Sequence, residues 1–164
     1  MRLRAILAAG GIAGLMVLGA AAADDDALGV ARKFCAARVA NDEAATRALI
    51  TDDLARTIAE AEARNKLFAD ANPDDKPPLG DGIPWQAFPD VAPSCTPGNV
   101  HDGGNRIMVD VAYGFPDAKD AGWTDRIVLV DQGTLKLDDV LYQQFPTDST
   151  QHGLRRTLAS IFDQ

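Results

Sequence analysis

Residues 107–113 read Ile107-Met108-Val109-Asp110-Val111-Ala112-Tyr113. Ile107, Val109, Val111 and Tyr113 fall on one side of an extended backbone, and Met108, Asp110 and Ala112 on the other. A period of two marks a strand with one face in a core. The period returns downstream, where Ile127 and Leu129 alternate with Val128 and Val130, and Leu135, Leu137, Val140 and Tyr142 form a third set. Asp102-Gly103-Gly104-Asn105 predicts a hairpin turn entered from a short strand over 99–101, and Gln132-Gly133 a second tight turn. Between Leu137 and Val140 the phase slips by one residue at Asp138-Asp139, which predicts a bulge that bends the sheet.

Upstream of these strands the apolar period is that of a helix. Over 27–40, Leu28, Ala31, Cys35 and Val39 share a stripe with Val30 and Phe34 beside it. The preceding Asp24-Asp25-Asp26 run complements the positive end of such a helix. Asn41 and Asp42 break it, and 43–50 reads as a short second helix. Thr51, Asp52 and Asp53 are N-cap candidates for a third over 54–70, with Leu54, Ile58, Ala61 and Phe68 on one side and Asn72-Pro73 at its end. A last helix over 151–162, capped by Ser149 or Thr150, buries Leu154, Leu158, Ile161 and Phe162. Residues 73–97 hold seven of the nine prolines, together with Trp85 and Phe88. No regular element fits there. A floppy linker would not carry Trp85, Phe88 and Val91 at these intervals, so the segment is expected to be an ordered loop packed over the core, with proline reducing the entropy lost on fixing it. Helices, then an antiparallel meander, then a helix define an α+β chain, with N-terminal helices packed on a curved antiparallel sheet and a C-terminal helix.

Residues 1–23 carry Arg2 and Arg4, an apolar run over 5–18, and small residues up to Ala23. The run is shorter than the roughly 20 residues that span a bilayer, and the small residues suit a signal peptidase. Cleavage near Ala23 is expected, leaving one α+β domain over 24–164 in the periplasm or outside the cell, with no later segment apolar enough to span a membrane. The full chain has a formal charge of -8; two of its 16 basic residues leave with the leader and all 24 acidic ones stay, so the remainder carries -10. Nucleic acid and anionic headgroups need clustered Lys and Arg, whereas the adjacent basic pairs here, Arg32-Lys33 and Arg155-Arg156, read as solvated helix faces. Cys35 and Cys95 are the only cysteines, and in an oxidising compartment they are expected to be bonded.

The order of elements resembles the nuclear-transport-factor-2-like (cystatin-like) α+β roll, in which a bent sheet wraps a long N-terminal helix. More narrowly, several features are similar to the exported bacterial domain-of-unknown-function family 3828. These are the leader, the Gly80-Asp81-Gly82-Ile83-Pro84-Trp85 loop, the cysteine before the first strand, the strand Leu135-Lys136-Leu137-Asp138-Asp139-Val140-Leu141-Tyr142 and the terminal Leu154-Arg155-Arg156-Thr157-Leu158 helix. The resemblance covers most of the chain after the leader and implies fold and compartment, but no catalytic residue. Lys136 departs from the pattern, which places a core-facing tryptophan or similar residue nearby.

Few patterns carry chemistry. Ser94, Ser149 and Ser160 lie outside any Gly-x-Ser-x-Gly elbow. His101 and His152 are isolated, without the spacing of a transition-metal site. The Asp pairs at 52–53, 74–75 and 138–139 do not follow a calcium loop, and no glycine loop precedes a helix to cradle phosphate. No catalytic residue, metal ligand or cofactor is assigned. What remains is a concave pocket between the bent sheet and the helices, with Trp85, Asp110, Tyr113, Arg126, Asp139 and Tyr142 as candidate ligand-binding residues. Each has a plainer reading: Asp110 and Arg126 as a cross-strand pair on the solvent face, Asp139 as part of the bulge, and Tyr113, Tyr142 and Trp85 as core aromatics. The expected function is a noncatalytic binding or interaction module for a small molecule or an envelope protein. The alternatives are a small enzyme using Asp110 or Asp139 as a buried base, and an immunity-type protein against an envelope toxin.

Overall fold

The computed structural model describes residues 17–143 and 152–163. Its elements run α1 (Val17–Val39), α2 (Glu43–Arg47), α3 (Asp52–Ala71), β1 (Ser94–Asp102), β2 (Ile107–Gly114), β3 (Trp123–Asp131), β4 (Leu135–Leu141) and α4 (Leu154–Ser160), with a short 3-10 turn at Lys119–Ala121. The four strands form one open antiparallel sheet in the order β1-β2-β3-β4. Helix α1 packs on β1, β2 and β4, while α3 and α4 pack on β4 and on each other. The expected α+β layout is the one observed. Of the predicted leader, residues 1–16 lie outside the described residues; α1 continues unbroken through the predicted cleavage point.

The alternation in β2 and β3 works as a packing code. Val109, Val111 and Tyr113 lie opposite Ile127, Asp125 and Trp123, and all six are buried. On the reverse face Asp110 lies opposite Arg126. The phase slip is a bulge: Val128 pairs with Asp139 and the next residue, Leu129, with Leu137, which leaves Asp138 as the extra residue. Both Leu137 and Val140 therefore reach the core. Gly104 (φ 82°) and Gly133 (φ 86°) occupy the left-handed positions of the two hairpin turns, and Asp102 and Asp131 each accept a hydrogen bond from the glycine N–H two residues on.

Helix boundaries follow from caps. Asn41 adopts φ 50° after α1, and Asp42 accepts from Ala45 N to start α2. The Thr51 hydroxyl accepts from Leu54 N to start α3 and donates to the bulge residue Asp138. Ser149 and Thr150, the cap candidates for the last helix, lie outside the described residues; the N-cap is Gly153, without a side-chain hydrogen bond. Asp139 takes that role from the neighbouring strand, its Oδ1 accepting from Arg155 N.

Three expectations need correction. Val39 is 38% exposed, and Arg38 is buried in its place. Arg38 stands about three full turns after Ala27 at roughly 3.6 residues per turn, whereas Val39 has drifted a further third of a turn away. The strand expected over 99–101 begins at Ser94, inside the segment read as a loop. Pro97 is tolerated because β1 is an edge strand, and the pairing register shifts just after it. Arg155 is not on a solvated face: it bonds Asp138 at 2.6 Å and Asp53 at 2.9 Å, joining α4 to the bulge and to α3.

Cys35 and Cys95 form a disulfide with their Cα atoms 5.1 Å apart. Cys95 is the partner of Tyr113 across β1 and β2, so the bridge fixes α1 to the sheet beside that ring. Among the described residues, no helix is long and apolar enough to cross a membrane.

Candidate functional site

The six sequence candidates divide among three places. Trp85, Tyr113 and Tyr142 lie in the core. Trp85 is 1% exposed and donates from Nε1 to Glu43 of α2 at 2.6 Å. Tyr142 donates to the carbonyl of Pro84, which holds the loop from the sheet side. Asp110 and Arg126 sit on the reverse face in a cross-strand ladder, where Asp110 accepts from Arg126 Nε at 2.7 Å and lies 2.8 Å from His101 Nε2. Burial works against the Asp110 charge, yet the His101 and Arg126 contacts hold its carboxyl below the usual range. Asp139 caps α4 at the sheet rim; burial raises its pKa and the Arg155 and Val140 N–H groups oppose that rise. The candidates do not form one pocket.

The residue that sequence reasoning missed is Asp125. Stepping back by two from Leu129 and Ile127 reaches Asp125 and then Trp123, so the period that defined the strand also placed a carboxylate on its core face. Asp125 is fully buried. Its Oδ2 accepts from Ala87 N at 2.9 Å and from Trp123 Nε1 at 3.1 Å. One carboxylate oxygen thereby joins the Pro-rich loop to the sheet. Around it, Asp125 Oδ1, Tyr113 OH, Arg38 Nε and Gln143 Nε2 are buried and find no hydrogen-bond partner among the described residues. Burial raises the Tyr113 and Tyr142 phenols above their usual range, Asp125 adding to it, and lowers Arg38, against the pull of Tyr113 and Glu43.

Burial pushes the Asp125 carboxyl up to about 6, against the opposing N–H groups of Ala87, Trp123 and Gln143. The folded chain therefore holds a proton that the unfolded chain releases near the ordinary carboxylate value of 3.8. Stability from this group is fully present below that value and is lost as pH rises to about 6. A shift of about two units corresponds to about 3 kcal/mol. Asp125→Asn keeps an acceptor without a charge. Its stability relative to the parent, from urea melts at several pH values, should rise by about 3 kcal/mol between about pH 3 and 7 and then level off. A flat difference would show that Asp125 does not titrate in this window. Asp125→Ala should destabilise at every pH, because two buried donors lose their acceptor at about 1–3 kcal/mol each.

Two concavities lie elsewhere on the described surface. A groove of about 680 Å³ beside α1 is lined by Asp25, Asp26, Arg32, Lys33 and Lys136 among others, charges of both signs. The second, about 270 Å³, lies between the Pro-rich loop and the β2–β3 connection and is lined by Phe88, Asp90, Phe115, Ala118, Ala121 and Trp123. The Phe88 ring meets Trp123 edge-on at 5.1 Å, Phe115 is tilted to it at 6.0 Å, and Tyr113 stacks on it at 4.7 Å. Phe88 is 42% exposed and the nearby Val91 43%. Oδ2 of Asp125 binds the indole of this cleft and the amide just before Phe88, so the buried carboxylate positions both walls.

No family model, curated protein or solved structure matches the chain.

Proposed function

We propose that this chain is an exported, noncatalytic binding module that takes a small ligand in the aromatic cleft between the Pro-rich loop and the β2–β3 connection. The observation that carries the reading is an apolar side chain left in water beside an aromatic recess: Phe88 is 42% exposed over the Trp123 ring, while the backbone beneath it is tied to Asp125. Exposed aromatic surface on a braced loop is a common feature of recognition sites. Export is supported by the leader pattern at 1–23, by the resemblance to an exported family and by the Cys35–Cys95 bridge.

The enzymatic alternative draws less support. Asp110 is ion-paired, and Asp139 is occupied as a helix cap. Asp125 has the raised titration expected of a base, but it is sealed under the loop with Oδ2 engaged twice.

A panel of small aliphatic, aromatic and charged probes, titrated while following backbone and indole N–H resonances, tests the binding reading. Binders should shift residues 87–91 and 115–123. Phe88→Ser should abolish those shifts and cost about 1 kcal/mol of stability, since it removes the edge-on contact with Trp123. Shifts scattered over the surface, or none, would remove the proposal.

A further inference from the structure

Resting on the binding reading, we infer that the aromatic cleft selects a free small molecule bearing a methylated ammonium group, with Phe88, Phe115 and Trp123 as its walls and Asp90 as its counter-charge. Size limits the ligand. At about 270 Å³, the cleft is below the roughly 300–1,000 Å³ range of sites that enclose a whole drug-sized ligand. It fits a compact head group. Three rings line the recess at different tilts, Phe88 at 63° and Phe115 at 40° to Trp123, and because Trp123 is only 5% exposed and carries Tyr113 stacked on it, the indole is the floor and the two phenylalanines are the sides. Aromatic boxes attract cations through the negative faces of their rings, and methylated ammonium groups suit them because they are charged yet shed water readily.

The charges around the cleft are mostly negative. Asp90 is the one ionisable residue among those lining the cleft, and it is exposed. The β2–β3 connection adds exposed Asp117 and Asp120 against a single Lys119. The chain as a whole carries -8, so the surrounding field also favours a cation over an anion. A neutral apolar group would gain from the rings but nothing from these carboxylates.

The test compares choline with dimethylbutanol, its uncharged carbon isostere, using the Trp123 indole N–H and the amides of Ala87, Phe88, Asp90 and Val91 as reporters in the full chain after the leader. Choline should bind at the cleft at least about tenfold more tightly than the isostere, with Phe88→Ala and Asp90→Asn each weakening it by about three- to tenfold. Both positions are exposed, and an unchanged Trp85 indole resonance confirms that each variant is folded. If the isostere binds as well as choline, the cation assignment is overturned and the binding reading stands. If neither shifts the cleft resonances, the assignment falls; if the wider probe panel is silent as well, the binding reading falls with it. A lysine-containing peptide that displaces choline and binds at least about tenfold more tightly would overturn the free small molecule as the source of the cation.

Discussion

Trp85→Ala is expected to lower the unfolding free energy by about 4 kcal/mol, within the range for truncating a buried aromatic. In a domain of this size that amounts to a fall of about 12 °C in melting temperature. Trp85 is among the largest fully buried side chains and belongs to the core cluster that also contains Phe34 and Leu54. Its removal would leave a cavity that the loop is poorly able to fill, because the chain on either side is already fixed: Tyr142 holds the Pro84 carbonyl and Asp125 holds the Ala87 amide. Trp85→Phe retains most of the packing and loses the hydrogen bond to Glu43, which can return to water; about 1 kcal/mol is expected. Thermal melts of the two variants separate these contributions. If the alanine variant loses no more than the phenylalanine variant, the indole is not a core element and the loop is not anchored by it.

Removing the bridge with Cys35→Ser and Cys95→Ser together should cost about as much, by a different route. The disulfide closes a separation of 60 residues, and restricting the unfolded chain to such a loop is worth about 4 kcal/mol on the chain-entropy account. The effect acts mainly on the unfolded ensemble, so the rings and strands near Tyr113 should keep their native spectra in the variant. Urea unfolding with and without reductant should show the parent's midpoint falling to that of the double variant. A parent midpoint insensitive to reductant, with complete reduction verified by mass, would mean that the crosslink adds nothing to stability.

The elements with a clean period were legible from the residues. The strand set around Val109 and Ile127, the extra residue at Asp138 and the cap at Thr51 all follow from local pattern and local chemistry. The remainder depends on tertiary context. Pro97 disguised the first half of β1, since only its edge position makes proline acceptable there. Arg38 and Asp125 break the rule that charges face outward, and a binary reading of the sequence passes over them. Each is offset in part from a distant segment, Arg38 by Tyr113 of β2 and Asp125 by Ala87 of the Pro-rich loop, beside the sequence neighbours Glu43 and Trp123. The aromatic cleft was invisible for a related reason. Phe88, Phe115 and Trp123 come from a loop, a strand exit and a strand entry, and nothing in their spacing says that they meet.

The two rims of the sheet differ in a way that bears on behaviour at high concentration. Along β4 the backbone is already engaged: Leu137 exchanges hydrogen bonds with Leu49 and Thr51, and Tyr142 N donates to His152 O. Along β1, Pro97 brings no N–H, and the register breaks between Pro97 and Val100. Neither rim offers an uninterrupted ladder onto which a neighbouring molecule could add its own strand. Crowded copies of this chain are thus denied the simplest route to fibrous accretion, and the open sheet can remain open without a partner to close it.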